Sequence, residues 1–258
     1  MELIFLGTGT STGVPQLRCG CDVCRSKDPT DQRLRTSALL IAGEYRILID
    51  CGPDFRQQML TWGKRSKEDR LDALLVTHQH YDHVGGIDDL RPYCYAHENG
   101  FPVYCQADVA KDLRNRMPYC FTPNPYPGVP RFDMHEIEAG KAFTACGLEI
   151  LPLRVNHYKL EILGFRIGDF AYITDAKIVY PETIERLKGI KTLVINALRI
   201  EQHLSHMSLD ESLEVIAKVK PQVTYLTHIS HQLGMSSEVA PRLPKNVFLA
   251  YDNLKIAL

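Results

Sequence analysis

"THQHYDHVGG" (77–86) follows directly on the apolar run "ALLV" (73–76). It places His78, His80, Asp82 and His83 within six residues. His78 and His80 are two apart, so along an extended chain they point to the same side. Asp82 and His83 follow in the turn that leads to Gly85 and Gly86. Two pairs of donors aimed at neighbouring points suit a dinuclear site, whose ions stand roughly 3.5–4 Å apart. A solvated polar turn does not account for so many ligand-type side chains behind a buried strand.

The same arrangement recurs. The runs "LIFLG" (3–7), "ALLIA" (38–42), "RILID" (46–50), "ALLVTH" (73–78), "EILPLRVNH" (149–157), "FAYITD" (170–175), "TLVIN" (192–196) and "VTYLTH" (223–228) read as buried strands. So do "NVFLAYD" and "LKIAL" at the end. Four of these runs finish on Thr or Asn followed by a metal-capable residue: Thr77-His78, Asn156-His157, Thr174-Asp175 and Thr227-His228. The spacing of apolar residues predicts helices over 54–64, 108–117, 182–190 and 209–219. Ser208 to Glu211 reads S-x-x-E, a capping box for the last of them. Strands and helices mixed along the whole length predict an α/β sandwich of layers. No repeat or linker divides it, so 1–258 is expected to be one domain. Such a fold collects strand-end residues on one rim, where loops build sites. The stretch 118–132 holds five prolines and is expected to be an extended loop or lid, inside a variable segment 91–135.

H-x-H-x-D-H after a strand resembles the signature of the metallo-β-lactamase superfamily. His157, Asp175 and His228 resemble that family's later motifs, and the likeness runs from "GTGTSTGVP" (7–15) to "YDNLKI" (251–256). The resemblance implies an αββα sandwich, two mixed β-sheets flanked by helices, with a dinuclear centre between the sheets. It implies His78, His80 and His157 on one metal and Asp82, His83 and His228 on the other. Asp175 would bridge the two with its two oxygens. Asp50, in "LIDCGPD" (48–54), is implied as a residue that fixes a ligand loop. The di-iron flavoprotein branch carries Glu where this chain has His80, so the resemblance favours a hydrolase. Imidazole and carboxylate donors suit zinc, manganese or iron.

A second cluster lies in "RCGCDVC" (18–24), inside a loop of about residues 18–25. Cys19, Cys21 and Cys24 suggest a structural zinc, which wants a fourth ligand. His231 stands three residues after His228 in "THISHQ" (227–232) and has no other role, so it is the expected fourth ligand. C-x-C-x-x-C after "GTG…G-x-P", with a late "THISH", resembles the PhnP phosphodiesterases. The glycines of "GTGTSTG" are followed by Pro15 and the cysteine loop rather than a helix, which rules out a dinucleotide fingerprint. Cys51, Cys94, Cys105, Cys120 and Cys146 show no ligand spacing and are expected to be free thiols.

The function expected from this is cleavage of small, including cyclic, phosphodiesters. Two metals sharing a water would make a hydroxide near neutral pH that attacks phosphorus in line. "EQHLSHMSLDE" (201–211) places His203 and His206 ahead of a capped helix, whose start favours a phosphate. The resemblance makes His206 a general acid or phosphate stabiliser, with Asp82 beside it in the catalytic set. His203, in reserve, and Arg91 are the candidate substrate contacts. A solvated helix face accounts for most of the neighbouring Arg114, Arg116 and Arg131.

The chain has 258 residues, 45% of them hydrophobic and 24% charged, and a net charge of −1. That balance gives no electrostatic case for nucleic acid. No run is long and apolar enough for a membrane span, and "MELIFLGTGT" is no signal peptide, so the expected location is cytoplasmic. The expected partner is a small phosphodiester, and a homodimer stays open. Competing readings are an RNase Z-like transfer-RNA 3′-processing endonuclease, a β-lactamase or thioester hydrolase, and a PqqB-like non-hydrolytic relative. The intact His78–His83 set argues against the last.

Overall fold

The computed structural model describes residues 1–63, 69–123 and 126–258. Lys64 of the expected helix 54–64 and residues 124–125 of the expected loop lie outside these.

In β1 (Glu2–Gly7) the side chains alternate: Leu3 and Phe5 join one core, Ile4 and Leu6 another. That is the period of a strand, and apolar residues on both faces mean that both are covered. The same holds along β2 (Ser37–Ala42), β3 (Tyr45–Ile49) and β4 (Ala73–Leu75). With β5 (Phe101–Cys105), β6 (Phe132–Glu136) and the last strand, β15 (Lys255–Ala257), they form one sheet in the order β15-β1-β2-β3-β4-β5-β6. It is antiparallel from β15 to β3 and parallel from β3 to β6.

The second sheet has the order β11-β8-β9-β10-β12-β13-β14. It is built from β8 (Leu148–His157), β9 (Leu160–Ile167), β10 (Phe170–Tyr172), β11 (Ile178–Val179), β12 (Thr192–Asn196), β13 (Val223–Thr227) and β14 (Val247–Leu249). A short β7 (Phe143–Ala145) pairs with β8. This sheet is also mixed: β8, β9 and β10 run antiparallel, and β10, β12, β13 and β14 run parallel.

Leu3, Phe5, Leu40, Ile47 and Leu75 of the first sheet meet Leu163, Phe165, Phe170, Tyr172 and Val194 of the second in one buried core. Phe55 and Met59 of α2 (Phe55–Trp62) and Val109 and Leu113 of α5 (Ala107–Arg116) cover the outer face of the first sheet. Leu187 of α6 (Pro181–Leu187) and Val215, Ile216 and Val219 of α7 (Leu209–Val219) cover that of the second. Each such fully buried side chain contributes about 1.5–3 kcal/mol from burial alone. The result is an αββα sandwich of two mixed sheets. The capping box forms as the sequence predicts: Ser208 Oγ accepts from the Glu211 amide and Glu211 accepts from the Ser208 amide.

The sandwich leaves its strand ends on one rim. β8 ends at His157 and β13 at Thr227, while β4 and β10 stop at Leu75 and Tyr172, earlier than the sequence suggests. The Leu163 amide donates to the Thr77 carbonyl and ties the second sheet to the end of the first. The glycines of the opening motif have a steric reason. A Cβ on Gly86 would stand 2.1 Å from the Gly52 carbonyl oxygen, and one on Gly52 the same distance from that of Asp82. The loop after β3 and the histidine turn therefore pack backbone against backbone.

Within the proline-rich stretch Pro118–Cys120 form a 3-10 turn, and residues 121–123 and 126–131 belong to no helix or strand. Its Pro123, Tyr126 and Arg131 wall a cavity together with Tyr95 and His97, and none of the residues of the histidine cluster lines that cavity.

Candidate metal centre

The structure draws the strand-end residues together. Donor atoms of His78, His80 and His157 lie within 4.8 Å of one another, as do those of Asp82, His83, Asp175 and His228. Asp175 stands at the middle. Its Oδ1 is 3.3 Å from His83 Nε2, and its Oδ2 is 3.1 Å from His228 Nε2 and 3.9 Å from His78 Nε2. Asp82 Oδ2 lies 3.3 Å from His83 Nε2 and 3.6 Å from His228 Nε2.

A surrounding layer sets the ring orientations. His83 Nδ1–H donates to Asp50 Oδ2 at 2.7 Å, so its Nε2 lone pair faces the cluster. Asp50 is fully buried and also accepts from the Thr77 amide and hydroxyl. The same hydroxyl lies 3.0 Å from His78 Nδ1. His157 Nδ1–H faces the carbonyls of Asp175 and Ser205, each at 2.8 Å, which turns its Nε2 to the cluster. Thr174 Oγ1 donates to Asp175 Oδ1 at 2.6 Å. The threonines seen beside His78 and Asp175 in the sequence thus orient carboxylates and an imidazole. That role was not legible there, because one hydroxyl serves Asp50, 27 positions away.

These residues fit a pair of divalent cations. His78 Nε2, His83 Nε2 and His228 Nε2 are buried without a hydrogen-bond partner, a costly state unless a cation accepts the lone pairs. The charges agree. Burial would raise the Asp175 carboxyl, but the His228 and His83 imidazoles hold it well below the usual carboxylate range. Burial would lower His83 and His228, yet Asp175 and Asp82 raise both, His228 to about 9. The carboxylates therefore pull positive charge onto these rings, and a bound cation satisfies the same demand.

His206 is buried, its ring centroid 4.6 Å from that of His157, and its unpartnered Nδ1 is 3.9 Å from Asp175 Oδ2. Burial, opposed by Asp175 and reinforced by His228, pushes it down to about 3. A neutral imidazole can donate one N–H to an oxyanion but carries no spare proton as a general acid. His203 is half-buried, with its ring centroid 5.2 Å from that of His206. Arg91 stands elsewhere: it pairs with Asp88 at 2.9 Å and lines a groove with Phe55, Met59 and Tyr93. Arg114 and Arg116 pair with Glu136 and Asp112, as a solvated helix face requires.

Cys19, Cys21, Cys24 and His231 form the second group, their donor atoms within 4.8 Å of one another. His231 Nδ1 lies 3.3 Å from Cys21 Sγ and 3.6 Å from Cys19 Sγ. Burial raises the Cys24 thiol to about 11, and a cation among the sulfurs would reverse that. Among the described residues, the other five cysteines join no group of three or more metal donors.

Residues 45–229 match the β-lactamase superfamily domain. A diphosphatase of the PhnP family superposes with a TM-score of 0.90 at 36% identity, covering 100% of this chain and 97% of that one. The chain belongs to the PhnP family of the metallo-β-lactamase superfamily. An octanoyltransferase of Porphyromonas gingivalis is 44% identical over 258 residues, 99% of this chain and 51% of that protein. This PhnP-family chain therefore spans about half the length of that relative. A ribonuclease Z of Bradyrhizobium sp. is 39% identical over 89 residues, 34% of this chain and 24% of that protein. Zinc-bound PqqB of Methylobacterium extorquens shares the fold, with a TM-score of 0.80 at 20% identity over 100% of both chains. Fold, family and donor clusters together make the chain a metallo-β-lactamase-fold protein with residues suited to divalent metals. Among the described residues no helix is long and apolar enough to cross a membrane.

Proposed function

We propose that the chain is a phosphodiesterase for small substrates. His78, His80 and His157 hold one divalent metal, zinc or manganese. Asp82, His83 and His228 hold the second, and Asp175 serves both. Cys19, Cys21, Cys24 and His231 hold a structural zinc. When bound, the metal pair provides a water nucleophile at neutral pH and offsets charge on phosphoryl oxygens.

The observation that carries this reading is His206. It presents a buried, unpartnered ring nitrogen beside Asp175, at the end of a loop that enters the capped start of α7. A phosphoryl oxygen placed there receives the imidazole N–H, and the helix start adds favourable partial charge. The neutral ring supports hydrogen-bond donation to the transition state rather than the acid role. His203 is suited to the leaving group, and Arg91, paired with Asp88 in another groove, is left out of that task.

A second reading is hydrolysis of an acyl thioester. It rests on the name of the octanoyltransferase, but the chain matches only half of that protein. One screen separates the two, run with zinc and with manganese. Bis(p-nitrophenyl) phosphate should be cleaved and p-nitrophenyl phosphate hardly at all, since a dianion brings extra charge beside Asp82 and Asp175. Faster cleavage of an octanoyl thioester or of nitrocefin than of the diester would move the chain to another branch.

A further inference from the structure

The residues between β12 and α7, 197–208, form no helix or strand, yet they carry His203 and His206. The ends of this loop are fixed by backbone bonds, Ala197 amide to Thr227 carbonyl and Met207 amide to Ala176 carbonyl. Its tip is exposed at Glu201, Gln202 and Leu204. Arg199 gathers that tip. Its Nε donates to the Glu201 carbonyl at 3.2 Å and its Nη2 to the Gln202 carbonyl at 2.6 Å. Its remaining arm, Nη1, leaves the loop and donates to Gln232 Oε1 at 3.1 Å.

Gln232 follows His231, whose ring faces Cys19 and Cys21. Ser230, just before, donates through both its amide and its hydroxyl to the Leu198 carbonyl and accepts from the Gln232 amide. The short segment 230–232 is thus bound on one side to the base and tip of the histidine loop and on the other to the cysteine cluster.

We propose that Arg199 is a positioning residue: through Gln232 it ties the tip of the loop to the cysteine cluster, so that metal held by Cys19, Cys21, Cys24 and His231 sets the placement of His203 and His206. The chemistry suits the task. A guanidinium spreads its donors over three nitrogens in a rigid planar fork and meets three separated acceptors, whereas an ammonium presents all its donors from a single nitrogen. The kinetic part rests on the reading of His206 as a substrate contact. Coupling of this kind is reciprocal, so a loosened loop must also loosen the metal.

The test uses the cobalt-substituted protein, in which thiolate ligation gives a charge-transfer band that an imidazole–carboxylate centre lacks. Loss of that band to a chelator reads the cysteine cluster alone. Arg199→Met and Gln232→Met should each hasten the loss about fivefold or more, with all metal sites filled at the start. Each should lower kcat on bis(p-nitrophenyl) phosphate about tenfold with KM little changed. The double variant should do no more than either single one, and Arg199→Lys should restore only part. Unchanged release in both single variants, or effects that multiply in the double one, would overturn the tie. Faster release with unaltered kcat would overturn its hold on the histidines. If His206→Ala also turned over normally, the fault would lie in the functional reading rather than in the tie.

Discussion

Asp50, Asp175 and His228 have φ of 59°, 61° and 54°. This left-handed region is uncommon for residues with a Cβ and costs on the order of 1–2 kcal/mol each. At these positions the chain turns sharply at a strand end and brings a side chain back over the rim. Hydrogen bonds hold two of them there, Thr77 and His83 on Asp50 and Thr174 on Asp175. Asp50→Asn keeps the shape but presents an amide nitrogen where one carboxylate oxygen accepts from Thr77 or His83. The fold should survive, while affinity for the metal at His83 falls about 10–100-fold, as a metal titration of the variant would read. His206→Ala removes no ligand of either metal in this reading. It should keep its full metal content and lower kcat by roughly 10²–10³; elemental analysis beside steady-state kinetics checks both.

Between elements, the close approach of the β3 loop to α3 (Tyr81–Val84) decides where Asp82 and His83 stand. Gly86→Ala should push Gly52 and the loop away by the width of a methyl group. A lower melting temperature and weaker binding of the second metal are expected together, and a variant with normal metal affinity would show that the loop yields. That glycine was visible in the opening motif, but its reason was not, because the contact is with the loop after another strand. Helix α7 was legible to the residue, since its apolar stripe and capping box agree. Strand β9 was not predicted. Its run "LEILGFRI" is apolar on both faces, so it lacks alternation, and Gly164 interrupts it where a Cβ would meet the Tyr172 carbonyl at 2.9 Å. β5 begins "FP" and β6 reads "FDMHE", both poor strand signals outside the sheet that pairs them. The clustered histidines and aspartates were readable because most of them end an apolar run. The positions of Arg91 and Arg199 were not, since an arginine is placed by partners distant in sequence.

For the whole molecule, the two clusters share one segment. His228 faces Asp175 in the histidine–aspartate cluster and His231 faces the cysteines three residues later. The cysteine loop is attached elsewhere by Val14 and Val23 packing beside Met235, by the Val14–Arg33 bridge, and at its end by Ser26, which donates to Asp31 and accepts from Gln32. None of these contacts ties the loop to the segment 228–231, and a zinc bound by three thiolates and the His231 imidazole would do so. Gently purified protein should therefore contain close to three metal ions per chain, two of them removed first by a mild chelator. His231→Ala should lose one zinc, melt at a lower temperature and bind the metal at His228 more weakly, because the segment that carries both histidines is released. The sign of the last effect is the informative one. A variant that loses the structural zinc yet keeps full affinity at the catalytic centre would show that β13 alone holds His228. One that keeps all three metals and its melting temperature would remove His231 from the ligand set.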